Sequence, residues 1–320
     1  MLIGMRNAIL AGGAAPGPTP AYWGLCFTAE AANSSVQLTA VGSPPAVTLV
    51  KSFDGINWEA YAVGEVIDLP STGDLVYLAA GEGGNESFGS STSAYHKFVI
   101  NGLVASSGDI TSLRRFDLEQ TKLADYCYVS MFRSCTGLTS APELPATTLA
   151  TRCYDSMFRD CTGLTSAPEL PATTLATNCY TFMFWGCTGL TSAPELPATT
   201  LAAGCYYCMF RDCTGLTSAP ELPATTLAAD CYTSMFWGCT GLTSAPELPA
   251  TTLASYCYYY MFRNCAKLSL IRVHFTAWGA QTSNWVTSVS SAGTFYKPSA
   301  LSEEFGESKI PTGWTVVNID

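Results

Sequence analysis

Three sets of residues in this 320-residue chain are of types that do chemistry: fourteen cysteines, a series of regularly placed glutamates and two histidines. Most of the cysteines fall into two series, Cys127, Cys153, Cys179, Cys205, Cys231, Cys257 and Cys135, Cys161, Cys187, Cys213, Cys239, Cys265, each advancing by 26 residues. Thiols could act as metal ligands, disulfide partners or buried packing groups. The regular step favours packing, because parallel Cβ vectors on neighbouring coils give poor disulfide geometry and a small soft side chain suits an interior. Free thiols in turn imply folding in a reducing or anaerobic setting. Cys205 and Cys208 form a C-x-x-C only because Cys208 stands at a variable position, and no further ligand completes a zinc site. Cys26 has no evident partner and reads as a buried thiol.

The glutamates Glu143, Glu169, Glu195, Glu221 and Glu247 repeat at the same step. Stacked at about 4.8 Å, they repel by roughly 1 kcal/mol per pair in water. Such a column calls for solvent, a bridging calcium ion or neighbouring Thr donors, and it could also read a repetitive polysaccharide. It is the wrong arrangement for a glycosidase, which needs two carboxylates in unequal environments. His96 and His274 lie in different parts of the chain, and no G-x-S-x-G, H-E-x-x-H or Walker-type loop is present. GEGGN at Gly81–Asn85 lacks the lysine and the strand-to-helix context of a phosphate loop. The expectation is a protein that is not an enzyme and needs no cofactor or metal.

These residues are positioned by a repeat. CTGLTSAPELPATTLA occurs five times unchanged, starting at Cys135, Cys161, Cys187, Cys213 and Cys239. Each unit is one turn of a solenoid that buries its apolar face only by stacking on its neighbours. Within the second unit Leu149, Cys153, Met157 and Cys161 are spaced by four, which predicts a short helix with that stripe inward. Thr147 or Thr148 would cap it and Gly163 would end it. Leu164 to Ala167 then form a brief strand, interrupted by Pro168, which lacks a backbone donor.

The M-F-x-x-C-x-x-L-x-x-A core of each unit, followed by Pro and a return to x-L, resembles the leucine-rich repeats of the BspA-like family of bacterial surface proteins. The likeness covers the six C-Y-x-x-M-F-x-x-C copies from Cys127 to Cys265, about half of the chain, and the 26-residue unit with its ELPAT segment is longer than the family repeat. It implies an arc-shaped solenoid with a parallel β-ladder, and adhesion to cells or matrix.

Four regions are expected: an N-terminal arm and Gly/Pro linker (1–20), an immunoglobulin-like β-sandwich (21–104), a leucine-rich-repeat solenoid of about six turns (105–268) and a C-terminal cap (269–320). The fold class is therefore α+β. The sandwich rests on short β-prone runs from Trp23, Ser35, Ala46, Asn57, Asp74 and His96, with Asp54-Gly55 as a hairpin signal. The apolar stretch of the arm is broken at Gly12 and Gly13, which suits an attachment arm better than a secretion signal.

Comparison of the copies shows where information about a partner is stored. In each unit six residues vary, 151, 152, 155, 156, 159 and 160 in the second, and at 26-residue steps they would form one face opposite the Cys/Met stripe. One column reads Arg133, Arg159, Trp185, Arg211, Trp237, Arg263, with Asp155, Phe182, Tyr207 and Tyr259 beside it; Tyr126, Asp212, Tyr256 and Tyr260 join them. Unconstrained drift would favour Lys, Glu, Gln, Ala and Ser. A face of Trp, Tyr, Phe and Arg instead has the composition of binding hot spots and paratopes.

The chain is 48% hydrophobic and only 12% charged, with a net charge of -10, against an average charged fraction of roughly 25%. It has no basic footprint for nucleic acid, and no apolar run approaches the roughly 18 residues of a membrane span. The expected partners are a protein or glycan on a cell surface, an anchoring partner for the arm and, as an option, further copies of the chain. Two settings compete: a phage virion fibre or decoration protein on the virion surface, and a BspA-like adhesin that is secreted or displayed on a bacterial surface.

Overall fold

The computed structural model describes residues 24–114 and 123–320, so the expected N-terminal arm lies outside the described residues. Alternating apolar runs between Gly, Pro and Asn clusters give the first nine strands: β1 (Leu25–Ala29), β2 (Ser34–Val41), β3 (Leu49–Ser52), β4 (Glu59–Tyr61), β5 (Val66–Leu69), β6 (Leu75–Ala80), β7 (Gly89–Ser91), β8 (Ala94–Asn101) and β9 (Val104–Ser107). They make two antiparallel sheets, β9-β1-β6-β3-β4 and β5-β2-β8-β7. Inward residues of both meet, with the Phe27 ring of β1 edge-on to Phe98 of β8 at 4.9 Å. Tyr61 of β4 ties the sheets by accepting from the Leu38 amide of β2 at 2.8 Å. The Asp54-Gly55 signal falls in the β3–β4 loop, where Asp54 Oδ1 accepts the amides of Ile56 (2.8 Å) and Asn57 (2.7 Å) and Gly55 has φ 72°. The loop is thus an Asx turn of residues 53–58 rather than a two-residue turn.

Among the described residues the chain is almost all β with essentially no helix, and the stripe of the repeats is not helical, so the α+β expectation is corrected. The stretch from Cys153 to Cys161 is a ribbon of linked turns in which every fourth residue is left-handed: Arg152 (φ 53°), Ser156 (57°) and Asp160 (61°). Amides alternate in direction along it. Tyr154, Ser156, Phe158 and Asp160 donate to carbonyls of the next rung at 2.7–3.0 Å, while Asp155, Met157, Arg159 and Cys161 close turns on the carbonyl three residues back at 3.1–3.2 Å. Every backbone donor of this stretch is satisfied without helix. The apolar spacing is a strict four rather than 3.6, so on a helix the stripe would drift about 40° per turn, whereas on this ribbon it stays in register.

Identical rungs place identical side chains on top of one another. Tyr128, Tyr154, Tyr180, Tyr206, Tyr232 and Tyr258 form one stack with centroids 5.7–6.1 Å apart. Phe132, Phe158, Phe184, Phe210, Phe236 and Phe262 form a second at 5.4–5.8 Å. The methionines of the repeat, Met183 and Met235 included, are fully buried. All fourteen cysteines are free and buried. In the second thiol column each sulfur points at the phenylalanine carbonyl of the rung before, as Cys161 does to Phe132 at 2.9 Å and Cys265 to Phe236 at 3.0 Å.

Between the turn ribbons the first repeat forms β10 (Leu138–Ser140), and the middle repeats pair through isolated bridges such as Ser166–Ser192 and Ser192–Ser218. Strand β10 pairs in parallel with β9, so the first repeat extends the sheet of the N-terminal region. That region also takes the place of a preceding rung, with the Phe98 amide donating to the Met131 carbonyl at 2.7 Å and Phe98 stacking on Phe132 at 5.1 Å. At the other end β11 (Ser244–Leu248), β12 (Leu270–Val273), β13 (Thr294–Lys297) and β14 (Thr315–Asn318) are joined in parallel order, a β-solenoid of about three turns. Residues 280–288 add a degenerate rung in which Trp285 lies against Phe262.

Candidate functional site

The turn ribbon decides which variable residues reach the surface. Its middle pair is largely buried: Asp155 and Ser156, Thr181, Cys208, Thr233 and Ser234 are all inside. Their polar atoms are engaged locally. Asp155 receives Arg152 Nη1 at 2.6 Å and Ser156 Oγ at 2.8 Å, and burial raises its carboxyl above the usual range despite these donors. Thr181 Oγ1 donates to the Gly204 carbonyl at 3.0 Å and Thr233 Oγ1 to that of Tyr256 at 2.5 Å. Asp155 is therefore a structural carboxylate rather than part of a wet face. Cys208 sits in the same buried layer, its thiol pushed up to about 11 by desolvation.

The outer pair behaves differently. Arg159, Trp185, Arg211, Trp237 and Arg263 are half-buried and interleave as a continuous stack. Arg159 Cζ lies 3.7 Å from the Trp185 ring centre; Arg211 lies 4.8 Å from Trp185 and 3.9 Å from Trp237; Arg263 lies 5.2 Å from Trp237 and 5.1 Å from Tyr260. Each such contact contributes about 0.5–2 kcal/mol. The indoles keep like charges apart. From Arg159 onward the alternation of copies thus has an internal cause that comparison of the sequences missed: Arg rungs continue with Asp or Asn (Asp160, Asp212, Asn264) and Trp rungs with Gly (Gly186, Gly238), whereas Arg133 is followed by Ser134. The signal was present in the sequence as a two-unit period.

Asp212 illustrates the arrangement. Its Oδ2 accepts Trp185 Nε1 at 3.0 Å and lies 3.4 Å from Arg211 Nε; Asp160 stands likewise 3.4 Å from Arg159 Nε. Burial lowers the Arg159 guanidinium from its ordinary value, with Arg133 on the neighbouring rung adding to the effect. Arg133 itself makes no ion pair or ring contact among the described residues. Phe182 packs on Trp185 at 5.3 Å and on Tyr207 at 5.4 Å. On the last rung Tyr259 lies between Tyr256, at 5.6 Å, and Tyr260, at 3.9 Å. The structure therefore joins eight of the ten expected contact residues into one ladder face, leaves Arg133 on the rung beside it without such a contact, and removes Asp155.

The glutamate column is exposed, and His274 Nε2 lies 2.6 Å from Glu247 Oε1 at its C-terminal end. His96 is buried and in the other region, its ring facing the Phe88 carbonyl at 3.2 Å, with desolvation lowering its pKa. Among the described residues no helix is long and apolar enough to cross a membrane. No protein-family model, curated protein or solved structure matches the chain.

Proposed function

We propose that this is a non-enzymatic binding protein in which a rigid solenoid presents the Arg/Trp/Tyr ladder to a cell-surface protein or glycan. The observation that carries this reading is the contrast within each rung. The inward Tyr, Met, Phe and Cys are identical in every copy and buried, while the outer pair is half-exposed and diversified into residue types that dominate binding interfaces. Half-buried guanidiniums stacked on indoles are already ordered, so little side-chain entropy is lost when a partner arrives.

In this reading the two N-terminal sheets are an immunoglobulin-like spacer and the repeats a variant of the BspA-like leucine-rich type. The preferred setting is a phage virion fibre or decoration protein that attaches to a bacterium or its host surface. The alternative is a bacterial surface adhesin, which the same ladder would serve. The test is binding of the full chain to cell and glycan panels beside a variant with Trp185, Arg211, Trp237 and Arg263 changed to Ser. Loss of binding supports the ladder. Retained binding with an intact fold moves the function to the exposed Glu/Thr column.

A further inference from the structure

The inner and outer ends of the ladder differ in one atom group. At Trp185 and Arg211 the space between the indole N–H and the guanidinium is filled by the chain itself, through Asp212 Oδ2. One repeat pair further on, Trp237 and Arg263 stand in the same relation, with the guanidinium 5.2 Å from the indole centre against 4.8 Å for the inner pair. Here the residue after the arginine is Asn264, exposed, and no carboxylate enters. Among the described residues the Trp237 indole N–H has no acceptor and Arg263 makes no ion pair; its buried Nε, like those of Arg159 and Arg211, has no hydrogen-bond partner. The outer position is thus an unoccupied copy of a carboxylate site that the inner rung fills.

A second, independent feature marks the same place. Where the inner rung has Gly204 and Cys208, the outer rung has Tyr256 (φ 52°) and Tyr260 (φ 56°), two bulky side chains on left-handed backbone. The same columns carry Tyr126 (φ 56°), Arg152 (φ 53°) and Phe182 (φ 57°) on left-handed backbone as well, so what sets this rung apart is the clustering of its rings. With Tyr259 they form a phenol platform beside the empty carboxylate position; Tyr256 is 51% exposed and Tyr260 lies 5.2 Å from Trp237.

We infer that the last full repeat binds a carboxylated sugar, its carboxylate taking the Asp212-like position between Trp237 Nε1 and Arg263 and its ring lying on the Tyr256/Tyr259/Tyr260 platform. This rests on the adhesion reading above and narrows it to acidic glycans. Aromatic faces flanked by phenol hydroxyls suit a pyranose, which offers C–H groups to one and hydroxyls to the other.

The experiment is calorimetric titration of the full chain with a hexuronate tetrasaccharide, with its carboxyl-reduced neutral counterpart, and with a glutamate-rich peptide. The uronate should bind, the reduced sugar at least tenfold more weakly, and the peptide more weakly than the uronate. Asn264→Asp should fill the position from within and weaken uronate binding at least tenfold. It should leave the fold intact, because Asp160 and Asp212 occupy the equivalent places at φ 61° and 57°. Arg263→Gln should weaken it similarly. Equal binding of the reduced sugar, tighter binding of the peptide, or wild-type affinity in Asn264→Asp overturns the inference. A chain that ignores the uronate yet still adheres to cells through Trp185 and Arg211 overturns it while leaving the adhesion reading in place. Loss of both properties removes both.

Discussion

Gly186 lies directly against the Asp160 carboxylate, and a Cβ at Gly186 would stand 2.5 Å from Asp160 Oδ1. The glycine that follows each tryptophan therefore makes room for the acid of the rung before, and Gly238 does the same for Asp212. Gly186→Ala meets two penalties: a left-handed φ of 76°, which costs about 1–2 kcal/mol for an L-residue, and displacement of the carboxylate. We expect a loss of about 2 kcal/mol in urea denaturation. Adding Asp160→Ser should recover only the steric part. An unchanged midpoint would contradict the packing described.

Trp185→Arg gives four guanidiniums on successive rungs, the new one and those of Arg133, Arg159 and Arg211. Two cation–ring contacts disappear, at a cost of about 1–2 kcal/mol, as does the Phe182 contact, and like charges meet where an indole stood. Because exposed charges are screened within about 10 Å at 0.1 M salt, the loss should shrink between 0.02 and 0.5 M salt. Trp185→Leu should destabilise with little salt dependence, and equal behaviour of the two variants would argue against charge separation by the indoles.

The buried thiols set an alkaline limit. Desolvation holds Cys127 and Cys208 at about 11 and Cys135, Cys179, Cys187, Cys231 and Cys257 at about 12, against 9.0 for a free thiol. Above pH 9 the unfolded chain binds fewer protons than the folded one, so stability falls as pH rises. Denaturation midpoints should be flat with respect to these groups below pH 9 and drop steeply between 9 and 12. A thiol reagent at pH 8 should label the native chain slowly and the unfolded chain at all fourteen positions.

Tyr154 and Tyr128 are both buried in the same stack, but their hydroxyls differ. Tyr128 Oη donates to the Ile110 carbonyl at 3.3 Å, whereas Tyr154 Oη has no hydrogen-bond partner. An unsatisfied buried hydroxyl costs about 1–3 kcal/mol. Tyr154→Phe should therefore be neutral or stabilising and Tyr128→Phe destabilising by about 1 kcal/mol, as read from thermal unfolding of the two variants. The reverse order would refute the assignment.

The repeat length, the inward Cys, Met and Phe columns and the outward position of Trp185 and Arg211 were legible in the sequence, because identical units can stack only in register. The local backbone was not. Four-residue spacing of Leu149, Cys153, Met157 and Cys161 resembles a helical stripe, and helix was the wrong choice. A better guide was the third variable column, Ser134, Asp160, Gly186, Asp212, Gly238 and Asn264, whose residue types tolerate left-handed backbone and fall four and eight residues after two further such positions. The buried state of Asp155 was hidden for the same reason, since a helix would have turned it outward. The Trp–Arg stacking was hidden for another: it is a relation between rungs, and reading each unit alone separates its members.

The Trp-Gly and Arg-Asp rungs also constrain how such a gene can change. Blocks of sixteen identical residues invite unequal recombination, which adds or deletes whole units. From Arg159 to Arg263, a gain or loss of one unit would set two tryptophans or two arginines side by side and leave an acid without its glycine. A change of two units restores every neighbour. Viable length variants of this rod should therefore differ by 52 residues, and lineages that count in single units would carry a repaired junction.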